Sequence, residues 1–472
     1  MIRKTKIIAT IGPKTSSKKI LSSLIQKGVN VCRLNFSHLS HEAAKEIISK
    51  IKEINQEQNV HTAILADLQG PKIRVGSFEK PIRLKKGEQI VFSTKKKKNT
   101  IQINYKNFPK DVKIKDKVLL DDGKIGLEVL KTNKKDTVLL KVVFGGILYQ
   151  RKGVNLPNTT LTLPSLTKKD LEDLNFILTQ KIEWIGLSFV RKAKDVKDLR
   201  KVINSRTSLH KVIAKIEKPE AIRNINAIIN SSDAIMVARG DLGVEVPPQK
   251  VPVYQKMIVN QCIKNSTPVI IATQMLESMT QNPIATRAEV NDVANSVIDG
   301  ADALMLSGET SVGKYPLKAV DSMRKIIRDI ESSDHSISNN QDHIELKDEG
   351  RVFTNAICLN ASNIARQLNA KAIITITYSG FNTVKVSSYR PKAFIYAFTN
   401  NHSILNTLSL VWGVQGFYYD GASTTSKTIE ETKQLLRLKK HLKKGDLVVN
   451  IASMPAREKG TTNMMKVSKI KK

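Results

Sequence analysis

Short apolar runs recur along the chain, each closing on polar residues, with amphipathic stretches between them. Strands are expected at Lys6–Ile11, Val29–Arg33 and Thr62–Asp67. After a long interruption they resume at Ile182–Phe189, Val212–Ile216, Ala234–Ala238, Pro268–Ala272 and Ala303–Leu306. The stretches between read as helices. Ser16 to Lys27 sets Ile20, Leu21, Leu24 and Ile25 on one face, and His41 to Ile54 does the same with Ala44, Ile47, Ile48, Ile51 and Ile54. Thr167, three residues before Asp170, reads as a helix N-cap ahead of Leu171, Leu174 and Ile177. Eight strands alternating with helices point to a (β/α)₈ barrel rather than an open sheet.

The interruption, 71–163, changes period. Short alternating runs at Gln89–Ser93, Lys117–Leu120, Lys124–Leu130 and Thr137–Val143 are separated by turn signals such as Asp121-Asp122-Gly123. A small β-domain inserted after the third barrel strand is expected there, placed to act as a water-excluding lid. The barrel then comprises 1–70 and 164–333. A polar linker is expected at 334–349, followed by a C-terminal α/β domain over 350–472, with strands at Ala372–Thr377, Ala393–Phe398 and Asp446–Ile451.

Chemistry is expected where the barrel strands end. The ends read Gly12-Pro-Lys14, Arg33 to His38, Asp67 to Gly70, Ser188 to Arg191, Lys215-Ile-Glu217, Arg239-Gly-Asp241, Thr273-Gln274 and Ser307 to Thr310. Active sites of such barrels lie on that face. Lys215, Glu217, Gly240 and Asp241 stand out. Two neighbouring carboxylates repel unless a hard cation such as Mg²⁺ lies between them, and an ammonium beside them suits a transferring phosphoryl group. A structural ion pair at a sheet end accounts equally well for Lys215 and Glu217 taken alone.

Composition narrows the class. No uninterrupted apolar run is long enough to span a membrane. The start, Met1 to Lys6, lacks a leader pattern, and Cys32, Cys262 and Cys358 have no metal-ligand spacing, which fits a reducing compartment. The formal charge of +34 invites a nucleic-acid reading, but lysine is dispersed and only 5% of residues are aromatic. Stacking platforms for bases are scarce, so solvated surface lysine is expected and no nucleic-acid partner.

Several motifs, in order and over nearly the whole chain, resemble the pyruvate kinase family. They are Thr10 to Lys14, Arg33 to His38, Asp67 to Arg74, Lys152 to Pro157, Lys215 to Glu217, Met236 to Glu245, Ala272 to Met279, Thr286 to Glu289 and Leu306 to Thr310. The resemblance implies phosphoryl transfer from phosphoenolpyruvate to ADP. It implies Glu217 and Asp241 as Mg²⁺ (or Mn²⁺) ligands and Lys215 as the group on the phosphoryl in flight. Arg33 would hold the phosphate, Gly240 and Asp241 N–H groups the carboxylate, and Thr273 would orient a proton source near the enolate. Asn35, Phe36, Ser37, His38, Arg74 and Lys152 match nucleotide-contacting positions.

In relatives that bind K⁺, its oxygen ligands correspond to Asn35, Ser37, Asp67 and the Leu68 backbone. Here Lys72 stands where many relatives carry glutamate, and its ammonium can supply the charge that K⁺ brings. The loop Thr377-Tyr-Ser-Gly380 and the stretch Gly460 to Asn463 match the family's effector region, although Phe381 stands where a polar residue often follows. Ser379 and its neighbours thus suggest a sugar-phosphate or AMP activator, with turn-and-cap chemistry as the plainer alternative. Membership also implies a cytoplasmic homotetramer. Two other readings stay open: a mutase or lyase acting on phosphoenolpyruvate, and a basic binding protein without catalysis.

Overall fold

A computed structural model describes residues 3–157, 159–205, 210–333, 351–421, 424–454 and 461–471. The linker expected at 334–349 lies outside the described residues, as does Gly460.

Eight parallel strands close into a barrel: Lys6–Ile11, Val31–Asn35, Ala63–Asp67, Trp184–Leu187, Lys211–Ile216, Ala234–Ala238, Val269–Ala272 and Ala303–Leu306. They follow chain order around the barrel, the eighth pairing with the first through Lys6–Ala303 to Ala9–Leu306. Each strand is sealed on both faces, which is why the runs read as continuously apolar rather than alternating. One face of successive strands (Ile8, Val31, Leu65, Trp184, Ile213, Met236, Ile270, Met305) forms a single cluster in the barrel interior. The opposite face, including Ile7, Cys32, Ile64, Val212 and Ile235, packs under the helices. Caps fix where those helices begin. Thr167 and Asp170 form a reciprocal capping box ahead of Lys168–Ile177, and Thr286 and Glu289 form another ahead of Arg287–Ile298.

Strand alternation explains how a chemical site arises on this scaffold. Two residues beyond Ile8, Val31, Leu65 and Ile213, on the same face, stand Thr10, Arg33, Asp67 and Lys215. The apolar floor of the barrel therefore gives way to a polar layer at the C-terminal strand ends. Gly186 makes room for it, because a Cβ there would lie 3.2 Å from Asp67 Oδ1.

The segment after the third barrel strand forms a six-stranded sheet and a two-stranded ribbon around their own core, including Phe92, Phe108, Val129 and Leu140. Its edges touch the barrel. Asn155 donates to Glu245 Oε1 at 2.8 Å, and the Arg191 guanidinium donates to the carbonyls of Leu161 and Leu163.

The C-terminal residues carry a five-stranded sheet. Four strands are parallel, and an antiparallel fifth, Met464–Lys469, pairs with Leu447–Ala452. This sheet docks at the opposite end of the barrel from the polar layer. The buried Arg390 donates to Asp302 at 2.9 Å, just ahead of the eighth strand, and Asn406 donates to Glu183, just ahead of the fourth. Leu410 belongs to the interior barrel cluster and is fully buried, closing the barrel floor from below. Sequence reasoning missed two strands here, Val414–Tyr418 and Met464–Lys469. Met464–Lys469 is an edge strand, mostly half-exposed or exposed, so its pattern is that of a surface segment. Cys32, Cys262 and Cys358 are all buried and unpaired. Among the described residues no helix is long and apolar enough to cross a membrane.

Candidate active site

The polar layer is organised around Asp67. Its side chain is 1% exposed and carries two cations. Arg33 reaches Oδ2 through Nε at 2.7 Å and Nη2 at 2.6 Å, and Lys215 Nζ stands 3.1 Å from Oδ1. Arg33 Nη1 also donates to Thr10 Oγ1 at 3.0 Å, and Lys215 donates to Ser188 Oγ at 2.8 Å. On its far side Lys215 meets Glu217 Oε1 at 3.0 Å. Glu217 is fully buried, and its other oxygen accepts the Phe189 N–H at 2.6 Å. Phe189 adopts φ 55, a strained choice for a bulky side chain, and so brings that N–H to the carboxylate.

These contacts set the charge states. Burial works against ionised Asp67, but Lys215 and Arg33 outweigh it and hold its pKa below the usual carboxylate range. Burial opposes the Lys215 ammonium as well, and Asp67 and Glu217 more than compensate, so its pKa is raised. Glu217 goes the other way. Burial pushes its pKa up, Lys215 offsets part of that, and Asp241 adds to it. Asp241 thus works against the charge on Glu217, which is the condition a shared divalent cation relieves.

The donor set fits such a cation. Glu217 Oε1 and Asp67 Oδ1 are buried without an aligned hydrogen-bond donor, although Lys215 Nζ lies close to both. Among the described residues no group of three or more His, Cys, Asp and Glu side chains is arranged to hold a metal. A site of two carboxylates completed by substrate oxygens and water matches how Mg²⁺ is bound.

Beside the cluster, the short helix Arg239–Glu245 starts directly from the sixth strand. Its Gly240 N–H donates to Thr273 Oγ1 at 2.7 Å, and that hydroxyl donates to the Ala272 carbonyl at 2.5 Å. Thr273 and Gln274 both take positive φ, 72 and 55, so the seventh strand turns sharply and presents the Thr273 hydroxyl to the helix start.

Comparison with known proteins decides the family. Residues 2–320 match the pyruvate kinase barrel-domain family model and 355–468 match the pyruvate kinase alpha/beta-domain model. The chain is 42% identical, over 99% of its length and 80% of the relative's, to a pyruvate kinase of Geobacillus stearothermophilus. A pyruvate kinase of Staphylococcus aureus (strain MRSA252) is 41% identical over the same shares. A solved pyruvate kinase from Cryptosporidium parvum superposes with a TM-score of 0.91 at 35% identity, covering 99% of this chain and 96% of that one.

The chain belongs to the pyruvate kinase family. It is a phosphotransferase of the (β/α)₈ class with a C-terminal alpha/beta domain, and it catalyses the glycolytic transfer that links phosphoenolpyruvate and ADP to pyruvate and ATP.

The other positions singled out from sequence have the following surroundings in this pyruvate kinase. Asn35 Oδ1 accepts the Ser37 N–H at 3.1 Å, and the Leu68 carbonyl accepts Ser188 Oγ at 2.7 Å. Phe36 is fully buried, and its carbonyl accepts Lys169 Nζ at 2.8 Å. Lys72 Nζ is 3.8 Å from Asp241 Oδ1, so the residue in the glutamate position points its charge at a candidate metal ligand. Arg74 forms an isolated antiparallel bridge with Gly153, the residue after Lys152. Arg74 and Lys152 are both engaged within the inserted domain: Arg74 Nη1 with the Arg151 carbonyl, and Lys152 with Asp121 Oδ1 at 2.8 Å. His38 is exposed in the loop after the second strand. In the C-terminal sheet, Gly380 takes φ +83 at the start of the helix Phe381–Ser388, and its N–H donates to Thr377 Oγ1 at 2.9 Å. The Arg351 guanidinium lies 4.0 Å from the centre of the Phe381 ring.

Sequence reasoning assigned no role to Thr10, Ser188 or the Phe189 N–H. Thr10 and Ser188 were visible as polar residues at strand ends. Phe189 gave no signal, because a backbone donor at positive φ leaves none in a bulky apolar residue.

Proposed function

We propose that the polar layer carries the transfer with the following division of roles. The observation that supports it best is the placement of Lys215 between Asp67 and Glu217, deep in the barrel mouth, where the two carboxylates favour its ammonium form. A terminal oxygen of the ADP β-phosphate attacks phosphorus. The bond to the enol oxygen breaks with its electron pair leaving on oxygen, and the resulting enolate takes a proton at carbon to become pyruvate. Lys215 and Arg33 face the phosphoryl oxygens, where charge is spread in a loose transition state. Arg33 suits the phosphate because its planar fork matches two oxygens at once. The Asp241 and Gly240 N–H groups at the start of the helix receive the substrate carboxylate, the Gly240 N–H shared between that carboxylate and Thr273 Oγ1, and Thr273 orients the proton source.

Glu217 and Asp241 would hold Mg²⁺ or Mn²⁺. When bound, that ion neutralises oxygens on substrate and enzyme together. The glutamine variant at position 217 tests this pairing. Glu217→Gln is expected to raise the Mg²⁺ concentration for half-maximal rate by at least about 10-fold, since even outer-sphere partners of a metal cost that much. An unchanged Mg²⁺ requirement removes Glu217 from the site.

For monovalent cations we propose that Lys72 takes over much of the role of K⁺. The potential K⁺ ligands already have protein partners, as described for Asn35, Asp67 and Leu68. Little activation by K⁺ over a tetramethylammonium control is expected, and a strong one would contradict the substitution.

The wider organisation is part of the same reading. Residues 1–70 and 164–333 form the barrel, 71–163 the lid, 334–349 the linker and 350–472 the regulatory domain. Lid closure brings Arg74 and Lys152 onto ADP phosphates, with Asn35 to His38 on the barrel side. The Thr377 to Gly380 loop receives the phosphate of a sugar phosphate or AMP, and the enzyme is a cytoplasmic homotetramer that uses no nucleic-acid partner.

A further inference from the structure

Arg239 is not among the groups assigned above, yet it is the most heavily committed side chain beside them. It is the first residue of the helix whose next two residues are Gly240 and Asp241. Its guanidinium pairs with Asp292 through both arms, Nη1 to Oδ1 at 2.6 Å and Nη2 to Oδ2 at 2.7 Å. Asp292 belongs to the helix Arg287–Ile298, anchored by its own capping box. The same Nη2 donates to the Thr273 carbonyl at 2.8 Å and approaches the Gln274 carbonyl at 3.4 Å. The side chain is only 10% exposed.

The start of one helix therefore grips the turn after the seventh strand at two points. The Gly240 N–H holds the Thr273 hydroxyl, and the Arg239 fork holds the Thr273 carbonyl. The grip matters because Thr273 and Gln274 both sit at positive φ, a conformation two such residues do not keep without support. With its carbonyl fixed on one side and its hydroxyl on the other, Thr273 keeps a single orientation. A flat, charged fork braced by a carboxylate sets that orientation in a way a single ammonium cannot copy.

We infer that Arg239, braced by Asp292, is a positioning residue that fixes the Thr273 hydroxyl for the proton-transfer half of the reaction. The inference rests on the assignment of Thr273 to that half. It makes Arg239 important to turnover without contact with either substrate. Misplacement of a reacting group by about an ångström costs on the order of 10²-fold in rate.

The test uses the full-length enzyme with Arg239→Lys, Asp292→Asn, Thr273→Val and the double variant R239K/T273V. The readouts are kcat, KM for phosphoenolpyruvate and ADP, and deuterium uptake into the pyruvate methyl group in heavy water. Arg239→Lys and Asp292→Asn are expected to lower kcat and deuterium uptake together, by roughly 10- to 100-fold, with both KM values nearly unchanged. The double variant is expected to be no slower than Thr273→Val alone, because the two residues act as one unit. Independent, multiplying losses in the double variant, or KM rising while deuterium uptake holds, would overturn the inference and leave Thr273 in place. Near-normal kcat and deuterium uptake in Thr273→Val would overturn the Thr273 assignment itself, and the inference with it. Should Arg239→Lys fold poorly, Asp292→Asn loosens the same fork with Arg239 still present and decides the question by the same readouts.

Discussion

Lys215→Met is expected to lower kcat by at least about 10²–10³, the scale on which a single preorganised electrostatic donor acts. Methionine keeps much of the length and shape of lysine, so the loss is one of charge. It falls where charge matters most. Lys215 is almost wholly withdrawn from water and lies 3.0 Å from Glu217 and 3.1 Å from Asp67. Without the ammonium, two buried carboxylates face each other and the migrating phosphoryl group loses its nearest compensating charge. Added Mg²⁺ does not restore the rate in this reading, because the metal and the ammonium act on different oxygens. Steady-state assay of the folded variant measures the effect, and near-normal turnover would remove Lys215 from the chemistry.

Asp67→Asn is expected to destabilise the barrel by about 3–5 kcal/mol, the usual cost of removing one partner from a buried ion pair. The change is isosteric, so packing is preserved and only the charge goes. Arg33 and Lys215 are then left as neighbouring buried cations with 12% and 10% of their side chains exposed. The sign with pH follows from the lowered pKa of Asp67. Its contribution is complete above the unfolded-state value of about 3.9 and is lost as pH falls through the lower folded-state value. The melting temperature of the variant should therefore trail the parent by a constant margin from weakly acidic to weakly basic pH, with the gap closing only in strong acid. Equal melting temperatures at neutral pH would mean that the two cations do not depend on Asp67.

The barrel was legible because its strands are sealed on both faces and its helices on one. Lys6–Ile11, Ala234–Ala238 and Ala303–Leu306 agree to the residue with the structure. Other barrel strand limits moved by one or two residues, including places where apolar pattern runs past the ladder, as at Val29 and Phe189. The edge strand Met464–Lys469 escaped notice because none of its residues is buried, so it carries no apolar run. Among site residues, the charged members were legible as strand-end charges and through the family's motifs. The interactions that arrange them were not. The two-point grip of Arg239 and Gly240 on Thr273 joins residues more than thirty positions apart, and it depends on backbone conformation that side-chain identity does not report. The direction of Lys72, toward Asp241, was likewise invisible until the fold placed the inserted domain against the barrel.

The measurement that bears most directly on the central claim is a stoichiometric one. The purified enzyme is given phosphoenolpyruvate and ADP, with pyruvate followed by a lactate-dehydrogenase couple and ATP measured in the same reaction. Parallel reactions contain Mg²⁺ or a chelator, with parent enzyme or Lys215→Met. One ATP for each pyruvate, abolished by the chelator and reduced at least about 10²-fold by the substitution, is the expected result. Pyruvate without ATP, turnover that survives the chelator, or an active Lys215→Met enzyme would contradict the assignment of metal-assisted phosphoryl transfer to this polar layer.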